Sequence, residues 1–318
     1  MFSYRHAFHV GNHADVLKHL ALVATARHLM QKDAPLLLVD THAGAGIYRL
    51  DGDMAAKSGE SAAGVGQLWA RCSGNPGQAA RPVSALADYL DVVRAFNAGS
   101  AAAAPRVYPG SPLILFHLMD SPERAAVRDR LKLFELHPTD SRLLREHVKQ
   151  LRAGSRVAVE RSDGFEALKR LLPPPASGGS RRALVLIDPS YEIKTDYARV
   201  ANAVEDALKR FATGVYCVWY PVIPRMAAHE LPRRLKTLAR GAKRSWLQAT
   251  LAVGTSATEP VDTREKAAGR SRNPLSASGM FIVNPPHTLE ASLREVLPQV
   301  MRALAQGAGA RWTVECGN

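Results

Sequence analysis

One stretch of the sequence places an acid, a proline and an aromatic residue directly after an apolar run. Residues 183–187 are apolar, and Asp188-Pro189-Ser190-Tyr191 follows them. A short apolar run between charged residues and a proline is typical of a parallel strand that is buried on both faces. Because ligands of open α/β sheets bind at the carboxyl ends of the strands, we expect Asp188 and Tyr191 to project into a cleft.

These residue types suit the binding of a base that carries an exocyclic amine. The lone pair of such an amine is delocalised into the ring, so the amine is a poor nucleophile. The carboxylate of Asp188 and the carbonyl of Pro189 could each accept one amine hydrogen and turn the lone pair towards an electrophile. Tyr191 would stack on the base, and such stacking contributes roughly 1–3 kcal/mol. The alternative is an ordinary turn after a strand, which needs no chemistry.

A glycine turn follows a second predicted strand, at residues 35–39. The turn is Asp40-Thr41-His42-Ala43-Gly44-Ala45-Gly46, and its glycines allow the backbone to approach a ligand closely. A dinucleotide fingerprint would need a third glycine where Arg49 stands, so the dehydrogenase pattern is weak. An acid followed by a short Gly-x-Gly suits S-adenosylmethionine better, because this ligand has no pyrophosphate to bind.

A second candidate for binding the amine is Asn284-Pro285-Pro286, which also follows an apolar run. It fits the Asn/Asp-Pro-Pro-aromatic signature of amino-methyltransferases more literally than Asp188 does, since Ser190 replaces the second proline there. That replacement removes one fixed φ angle from the turn. However, His287 stands where a stacking Tyr or Phe belongs, and the motif lies at the last predicted strand, far from the glycine turn. We therefore assign the catalytic role to Asp188.

Two other predicted strands end near an acid. Glu135 closes a short strand, and a carboxylate in this place can accept hydrogen bonds from both hydroxyls of a ribose. Asp163 and Gly164 follow the predicted strand at residues 156–160 and precede a helix. The acid could accept a hydrogen bond from the amino group of an adenine, whereas capping of the helix is the competing explanation.

A segment rich in Ala, Gly and Ser lies between residues 53 and 105 and contains helical patterns at residues 62–71 and 84–97. Neither pattern alternates like a strand. We therefore expect a helical insertion within a single domain that spans residues 1–318. After this segment, Ser111 and Pro112 predict the start of a helix with Ser111 as its N-cap.

Residues 14–30 have the period of a helix with one apolar stripe. Lys18 and His19 lie away from the centre of this stripe. They could face a ligand, but the period alone favours a solvated face.

The first thirteen residues are polar and aromatic without a helical or strand period, which indicates a binding edge. His9, His13 and His19 raise a metal site as an alternative. However, Gly11 interrupts any helix between the first two, and Asp15 is the one nearby carboxylate. No metal is expected.

The composition indicates a globular protein with an anionic partner. There are 42 basic and 29 acidic residues, a net charge of +13, and a strongly basic chain favours polyanions such as RNA. Basic segments at residues 225–244 and 264–272 could contact phosphates, although solvated faces are the alternative. The three cysteines are widely spaced, so we expect no disulfides. Because the sequence shows no apolar leader and no membrane span, we expect a cytoplasmic protein.

Five blocks of the sequence carry a resemblance to a known family. The blocks are Tyr4–His19, Asp40–Gly46, Tyr108–Pro112, Glu135–Pro138 and Ile187–Glu192. Together they resemble the bacterial 23S ribosomal RNA adenine-N(6) methyltransferases of the RlmJ type, over nearly the whole chain. The resemblance implies an α/β fold, namely the Rossmann-like class I S-adenosylmethionine-dependent methyltransferase fold with a helical insertion. It also implies an enzyme that methylates one adenine without a metal.

The resemblance also implies roles for individual residues. Asp188 would be catalytic, and Tyr4 would contact the target nucleotide with His6 and Lys18 beside it. The implied cofactor-binding residues are His19, His42, Ser111, Glu135, Asp163 and Gly164. The methyl donor would be S-adenosylmethionine, with S-adenosylhomocysteine as product. The partner would be 23S rRNA, and we expect a monomer without an obligate protein partner or a membrane.

Three other classes of protein remain open at this point. A DNA adenine methyltransferase would share the chemistry and differ in its nucleic acid. A dehydrogenase would bind a nicotinamide cofactor. A non-catalytic RNA-binding protein would keep the basic surface but would not need Asp188.

Overall fold

The structure is a computed structural model. It describes residues 9–52, 59–73, 82–98, 104–124, 126–176, 181–254 and 275–318. Tyr4, His6 and the basic segment 264–272 lie outside the described residues.

The described residues form ten strands and nine α-helices. The strands are β1 (Leu37–Asp40), β2 (Ile47–Arg49), β3 (Val107–Pro109), β4 (Arg130–Phe134), β5 (Val157–Glu160), β6 (Ala183–Ile187), β7 (Val215–Pro221), β8 (Trp246–Ala252), β9 (Ala277–Val283) and β10 (Arg311–Gly317). The helices are α1 (His13–Met30), α2 (Gln67–Ser73), α3 (Ser84–Ala95), α4 (Ser111–Met119), α5 (Pro138–Gln150), α6 (Gly164–Leu171), α7 (Asp196–Arg210), α8 (Met226–Gly241) and α9 (Leu289–Leu304). A π-helical turn at Ala62–Gly66 precedes α2.

The main sheet has the strand order β10-β8-β9-β7-β6-β1-β4-β5. The five strands from β7 to β5 in this order are parallel, whereas β9 runs antiparallel to both of its neighbours and β10 runs antiparallel to β8. The chain moves outwards from β1 through β4 to β5 and then returns to β6 on the other side of β1. This reversal places the topological switch point of the sheet at the carboxyl ends of β1 and β6, and open α/β sheets have their ligand crevice at such a point.

The predicted α/β fold is confirmed, with a Rossmann-like, mainly parallel sheet whose strand order reverses beside β1. All five residues of β6 are buried, because β1 and β7 flank it and helices cover both faces of the sheet. One expectation is wrong: β9 is not the last strand, since β10 follows it and pairs with β8. The strand β10 alternates between exposed and buried residues only weakly, so its sequence carries little strand signal.

Helix α1 is buried on nearly all sides. It packs against the sheet strand β9 and against the helices α3, α4 and α9. The side chains of Lys18 and His19 are accordingly 4% and 0% exposed. The helical period predicts a solvated face for these two residues, and this prediction is wrong. The surrounding helices enclose the polar face of α1 as well as its apolar stripe.

The segment between β2 and β3 contains the π-helical turn, α2 and α3. Its two flanking strands pair with each other, with Ile47 opposite Pro109. Apolar residues of the segment, among them Val65, Leu68 and Leu90, belong to the same core cluster as α1 and one face of the sheet. The helical patterns expected here are confirmed. That residues 53–105 form an insertion in one domain spanning residues 1–318 stays a proposal, which this shared core supports.

A close approach of backbone fixes the start of α6 against the glycine turn. A Cβ atom added to Gly164 would lie 2.1 Å from the carbonyl oxygen of Thr41. Only a residue without a side chain therefore fits between β1 and α6 at this place.

We expect Gly164→Ala to lower the free energy of unfolding by about 1–3 kcal/mol, because the added methyl group must push backbone apart. The matched control is Gly241→Ala, where an added Cβ meets no atom within 4 Å. Urea unfolding of both variants checks this. Equal stability of the two variants would contradict the tight contact at Thr41.

Candidate active site

The carboxylate of Asp188 lies at the carboxyl end of β6, directly beside the reversal point of the sheet. Its Oδ2 atom accepts a hydrogen bond from Nζ of Lys18 at 2.6 Å. The Asp188 side chain is 13% exposed and the Lys18 side chain 6% exposed. The carboxylate of Asp188 is therefore partly accessible from the crevice, whereas the ammonium group of Lys18 is enclosed by protein.

Lys18 joins two carboxylates. Its Nζ lies 2.7 Å from Oδ1 of Asp15, one turn earlier on α1, and 2.6 Å from Oδ2 of Asp188. Burial alone would lower the pKa of Lys18, but the two carboxylates outweigh burial and raise this pKa above its ordinary value. The ammonium therefore stays charged, which favours the ionised form of Asp188.

Asp40, the last residue of β1, is a second acid at this edge and is fully buried. Its Oδ1 accepts a hydrogen bond from the backbone N–H of His42 at 3.2 Å. Burial raises the pKa of Asp40 to about 7 against the opposing hydrogen bond with Ser111. The charge of Asp188 adds to the rise, whereas the N–H of His42 and the charge of Lys18 oppose it. The turn after β1 thus holds a carboxyl group that can take up or release a proton near neutral pH.

Ser111 lies beside Asp40 but does not cap α4. The helix begins at Ser111 itself, the N-cap residue is Gly110, and the cap makes no side-chain hydrogen bond. The N-cap prediction for Ser111 is therefore wrong. The hydroxyl instead interacts with the carboxyl group of Asp40, which places it at the same sheet edge as Asp188.

Glu135, directly after β4, holds the glycine turn. Its Oε2 accepts the backbone N–H of Gly44 at 2.8 Å, and its Oε1 accepts the N–H of His137 at 2.7 Å. Burial raises the pKa of Glu135 in spite of these two hydrogen bonds. Contact with ribose hydroxyls stays a prediction for this residue, and the structure adds a role in fixing the turn.

Asp163 is the N-cap of α6, as the competing explanation requires. Its side chain accepts hydrogen bonds from the backbone N–H groups of Phe165 and Glu166, and its other oxygen forms an ion pair with Arg199. Binding of an adenine amino group by Asp163 stays a prediction. The cap orients the carboxylate at the edge where such a ligand would lie.

Two histidines of the expected cofactor set flank this edge. His42 packs edge-on against the ring of Phe165, and burial lowers its pKa to about 4, so its ring is neutral near pH 7. On α1, Nδ1 of His19 lies 2.8 Å from the hydroxyl of Tyr108, which in turn lies 3.0 Å from the hydroxyl of Tyr89. The ring of His19 is therefore held by a buried chain of hydroxyl groups.

Tyr191 is placed differently from the expectation. Its side chain is 3% exposed, its hydroxyl donates to the carbonyl oxygen of Trp219 at 2.6 Å, and its ring packs against Tyr197 and Trp219. The projection of this ring into the crevice is therefore wrong, because the ring is buried against Tyr197 and Trp219 and its hydroxyl is held by a backbone oxygen. Stacking on a base stays a prediction.

The rejection of Asn284 as the amine-binding residue agrees with the topology. Because β9 is antiparallel, its last residue, Val283, pairs with Tyr216 near the start of β7. Asn284 therefore lies at the sheet edge opposite Asp188. Its side-chain amide donates to the carbonyl oxygens of Ala212 and Gly214 at 2.8 and 2.7 Å, which accounts for the residue structurally.

The sequence as a whole matches a family of rRNA-modifying enzymes. The family model RsmJ, described as "Ribosomal RNA large subunit methyltransferase D, RlmJ", matches residues 33–316. The chain belongs to the RlmJ family. It is 40% identical over 314 residues to "Ribosomal RNA large subunit methyltransferase J" of Escherichia coli, covering 99% of this chain and 98% of the relative. The protein of the same name from Haemophilus influenzae is 37% identical over 315 residues, with the same two coverages.

A solved structure has the same fold along nearly the whole chain. The crystal structure of a Legionella pneumophila protein aligns with a TM-score of 0.77 and 29% sequence identity, covering 97% of this chain and 98% of that chain. The described residues thus have a close structural counterpart for both the sheet and the helices around it.

Most expected residues of the RlmJ family site lie at one edge of the sheet. The turns after β1, β4, β5 and β6 bring His42, Glu135, Asp163 and Asp188 to this edge, and α1 adds Lys18 and His19. Sequence reasoning missed Asp15 as the second partner of Lys18. The spacing of three residues on a helix was the available signal. Within the described residues, no three potential metal ligands form a cluster, and no helix is long and apolar enough to cross a membrane.

We expect Lys18→Met to lower the free energy of unfolding by about 3–5 kcal/mol, because two enclosed carboxylates lose their counter-ion. Lys169→Met is the matched control, since Lys169 also pairs with an acid three residues earlier, Glu166, but is exposed. The control variant should lose less than about 1 kcal/mol. Chemical denaturation measures both, and similar losses would contradict a buried bridge at Lys18.

The raised pKa of Asp40 makes stability depend on pH. Folding raises this pKa from 3.8 to about 7, so between these pH values the folded protein binds more protons than the unfolded chain. This group therefore makes stability fall as pH rises through that window.

We expect Asp40→Asn to flatten this dependence. The difference in melting temperature between pH 5 and pH 8 should become smaller than in the wild type, and the variant should be the more stable protein at pH 8. Asp91→Asn, an exposed acid on α3, serves as control and should keep the wild-type profile. An unchanged profile for Asp40→Asn would mean that Asp40 is ionised throughout this range.

Proposed function

We propose that this RlmJ family member transfers the methyl group of S-adenosylmethionine to the exocyclic N6 amine of an adenine in 23S rRNA, with Asp188 as the residue that binds the amine. The methyltransferase activity and its methyl donor follow from family membership. The single observation that supports the role of Asp188 is its ion pair with Lys18 at the carboxyl end of β6.

The charge pattern of the site suits the methyl donor. The chain carries a net charge of +13, yet the edge beside β6 is rich in carboxylates and the imidazole of His42 is neutral near pH 7. Such an environment favours a ligand that carries a sulfonium and an ammonium group. The carboxyl groups at this edge are Asp15, Asp40, Glu135, Asp163 and Asp188, and they outnumber the two cations beside them, Lys18 and Arg199.

Asp188 would act mainly by orienting the amine. S-adenosylmethionine, when bound, supplies an electrophilic methyl group, so alignment of the amine can provide much of the acceleration, about 7–11 kcal/mol for well-oriented groups. One carboxylate oxygen of Asp188 is engaged by Lys18, and the carboxylate can also accept an amine hydrogen together with the carbonyl of Pro189. Removing a proton from the neutral amine first would be far too unfavourable. Asp188 therefore takes the proton during or after methyl transfer.

Recognition of RNA would use the basic surface of the protein. Several cations of the segment 225–244 are already engaged, since Arg234 contacts Glu205 and Lys236 contacts Glu315. Others, Arg240, Lys243 and Arg244, line a cavity of about 560 Å³ at the edge opposite Asp188. These three residues are the better candidates for contacts with phosphates. We include in the proposal that the protein acts in the cytoplasm as a monomer.

The decisive experiment combines methyl transfer with a variant of Asp188. Purified wild-type protein and radiolabelled S-adenosylmethionine are incubated with 23S rRNA that lacks the modification, with duplex DNA as the comparison, and the labelled base is mapped. We expect one N6-methyladenine in the RNA and none in the DNA. Label on DNA, or on several bases, would contradict the proposal.

We expect Asp188→Ala to reduce kcat by at least about 100-fold, in the range seen when a positioned catalytic group is lost, while the Kd for S-adenosylmethionine stays within about twofold. Asp188→Asn, which keeps the shape, separates loss of charge from loss of packing. Calorimetric titration gives the Kd, and single-turnover transfer gives the rate. A parallel loss of cofactor affinity and rate would assign Asp188 a structural role.

A further inference from the structure

The segment between β2 and β3 holds the turn that precedes α1. The carboxylate of Glu60 binds this turn twice, since Oε1 lies 2.9 Å from Nδ1 of His9 and Oε2 accepts the side-chain N–H of Asn12 at 2.8 Å. Asn12 is also the N-cap of α1 and accepts the backbone N–H groups of Ala14 and Asp15. Glu60 therefore fixes the residue that starts the helix on which Lys18 lies.

A backbone contact reinforces this attachment. The N–H of Val65 donates to the carbonyl oxygen of Gly11 at 2.8 Å. A Cβ atom added to Gly64 would lie 2.0 Å from that same oxygen and 2.7 Å from Cα of Asn12. The π-helical turn and the turn before α1 thus touch backbone to backbone, and only glycine permits this approach.

The turn is connected to the catalytic carboxylate by three short contacts. The N–H of Gly11 donates to Oδ2 of Asp15 at 2.8 Å. The other oxygen of Asp15 binds Lys18 at 2.7 Å, and Lys18 binds Asp188 at 2.6 Å. The side chains of Asp15, Lys18 and Asp188 are 3%, 6% and 13% exposed, so little water is available to replace a lost contact in this chain.

We propose that the segment between β2 and β3 is a positioning element of the active site: Glu60 and Gly64 hold the turn at residues 9–12, and through Asp15 and Lys18 that turn sets the position of the Asp188 carboxylate. The inference rests on the proposed function of Asp188. It assigns Glu60, Gly64 and Asp15 as positioning residues, which act on the reacting amine only through Lys18 and Asp188.

The test uses Glu60→Gln and Gly64→Ala in the full chain. The first removes the charge that binds His9 and Asn12 at nearly constant size, and the second forces the two backbones apart. We expect kcat for rRNA methylation to fall by about 10- to 100-fold, because small misplacements of a catalytic group have effects of this size. The Kd for S-adenosylmethionine should stay within twofold, since His42, Glu135 and Asp163 lie on the turns after β1, β4 and β5 and not on the turn at residues 9–12.

Two control variants separate positioning from stability. Val204→Ala leaves a cavity at a fully buried site of α7, in the core cluster that does not include α1, and should lower the melting temperature without lowering kcat at a permissive temperature. Glu146→Gln removes an exposed acid that pairs with Arg142 and should change neither. If Val204→Ala reduces kcat as much as Glu60→Gln does, general destabilisation explains the effect and the proposal is wrong.

A measurement without RNA makes the outcome independent of the proposed function. Amide hydrogen exchange of the peptide covering residues 9–20 should become faster in Glu60→Gln and Gly64→Ala than in the wild type and in Glu146→Gln. Unchanged exchange overturns the proposal whatever the activity. If wild-type protein transfers no methyl group to rRNA, the proposed function fails, while the exchange data still decide whether the segment holds the turn.

The activity data contain one further check. Adding Glu60→Gln to Lys18→Met should reduce kcat by little more than Lys18→Met alone, because residues that act through one link are not additive. Full additivity of the two losses would show that Glu60 does not act through Lys18, and would overturn the proposed path.

Discussion

The ammonium group of Lys18 is the interaction on which the site depends. It lies between Asp15 and Asp188 with both distances below 2.8 Å, in a region where water cannot replace it. With both carboxylates ionised, the group of Asp15, Lys18 and Asp188 carries one net negative charge. Because α1 carries Asp15 and Lys18 and the turn after β6 carries Asp188, the packing of a helix against a strand end sets the geometry of this group.

The sequence predicts much of the fold because apolar runs and turn residues report on burial directly. The runs that became β1, β6 and β7 are continuous and apolar, as expected for strands covered on both faces. The environment of α1 could not be predicted in this way, since the hydrophobic period describes one helix and not the helices that later enclose its polar side. For the same reason, Lys18 and His19 look solvated in the sequence and are buried in the structure.

The contacts of two residues, Ser111 and Tyr191, could also not be predicted from the sequence. Ser111 has the residue type and the following proline of an N-cap, yet Gly110 takes that place, because the preceding strand β3 brings the hydroxyl to Asp40. The ring of Tyr191 turns away from the crevice because its backbone adopts a positive φ of 55° and Trp219 offers a carbonyl oxygen. The hydrogen bond to Trp219 thus anchors the turn at the residue that follows Ser190.

The pairing of Ile47 with Pro109 has a consequence for how this protein can change. The chain leaves and rejoins the small ribbon at adjacent positions, so the length of the segment between β2 and β3 does not set the register of any strand in the large sheet. The buried side chains of its helices nevertheless belong to the core that also contains α1. Insertions or deletions in this segment can therefore leave the strand pairing of the large sheet intact, whereas its buried helical faces are constrained by the packing against α1.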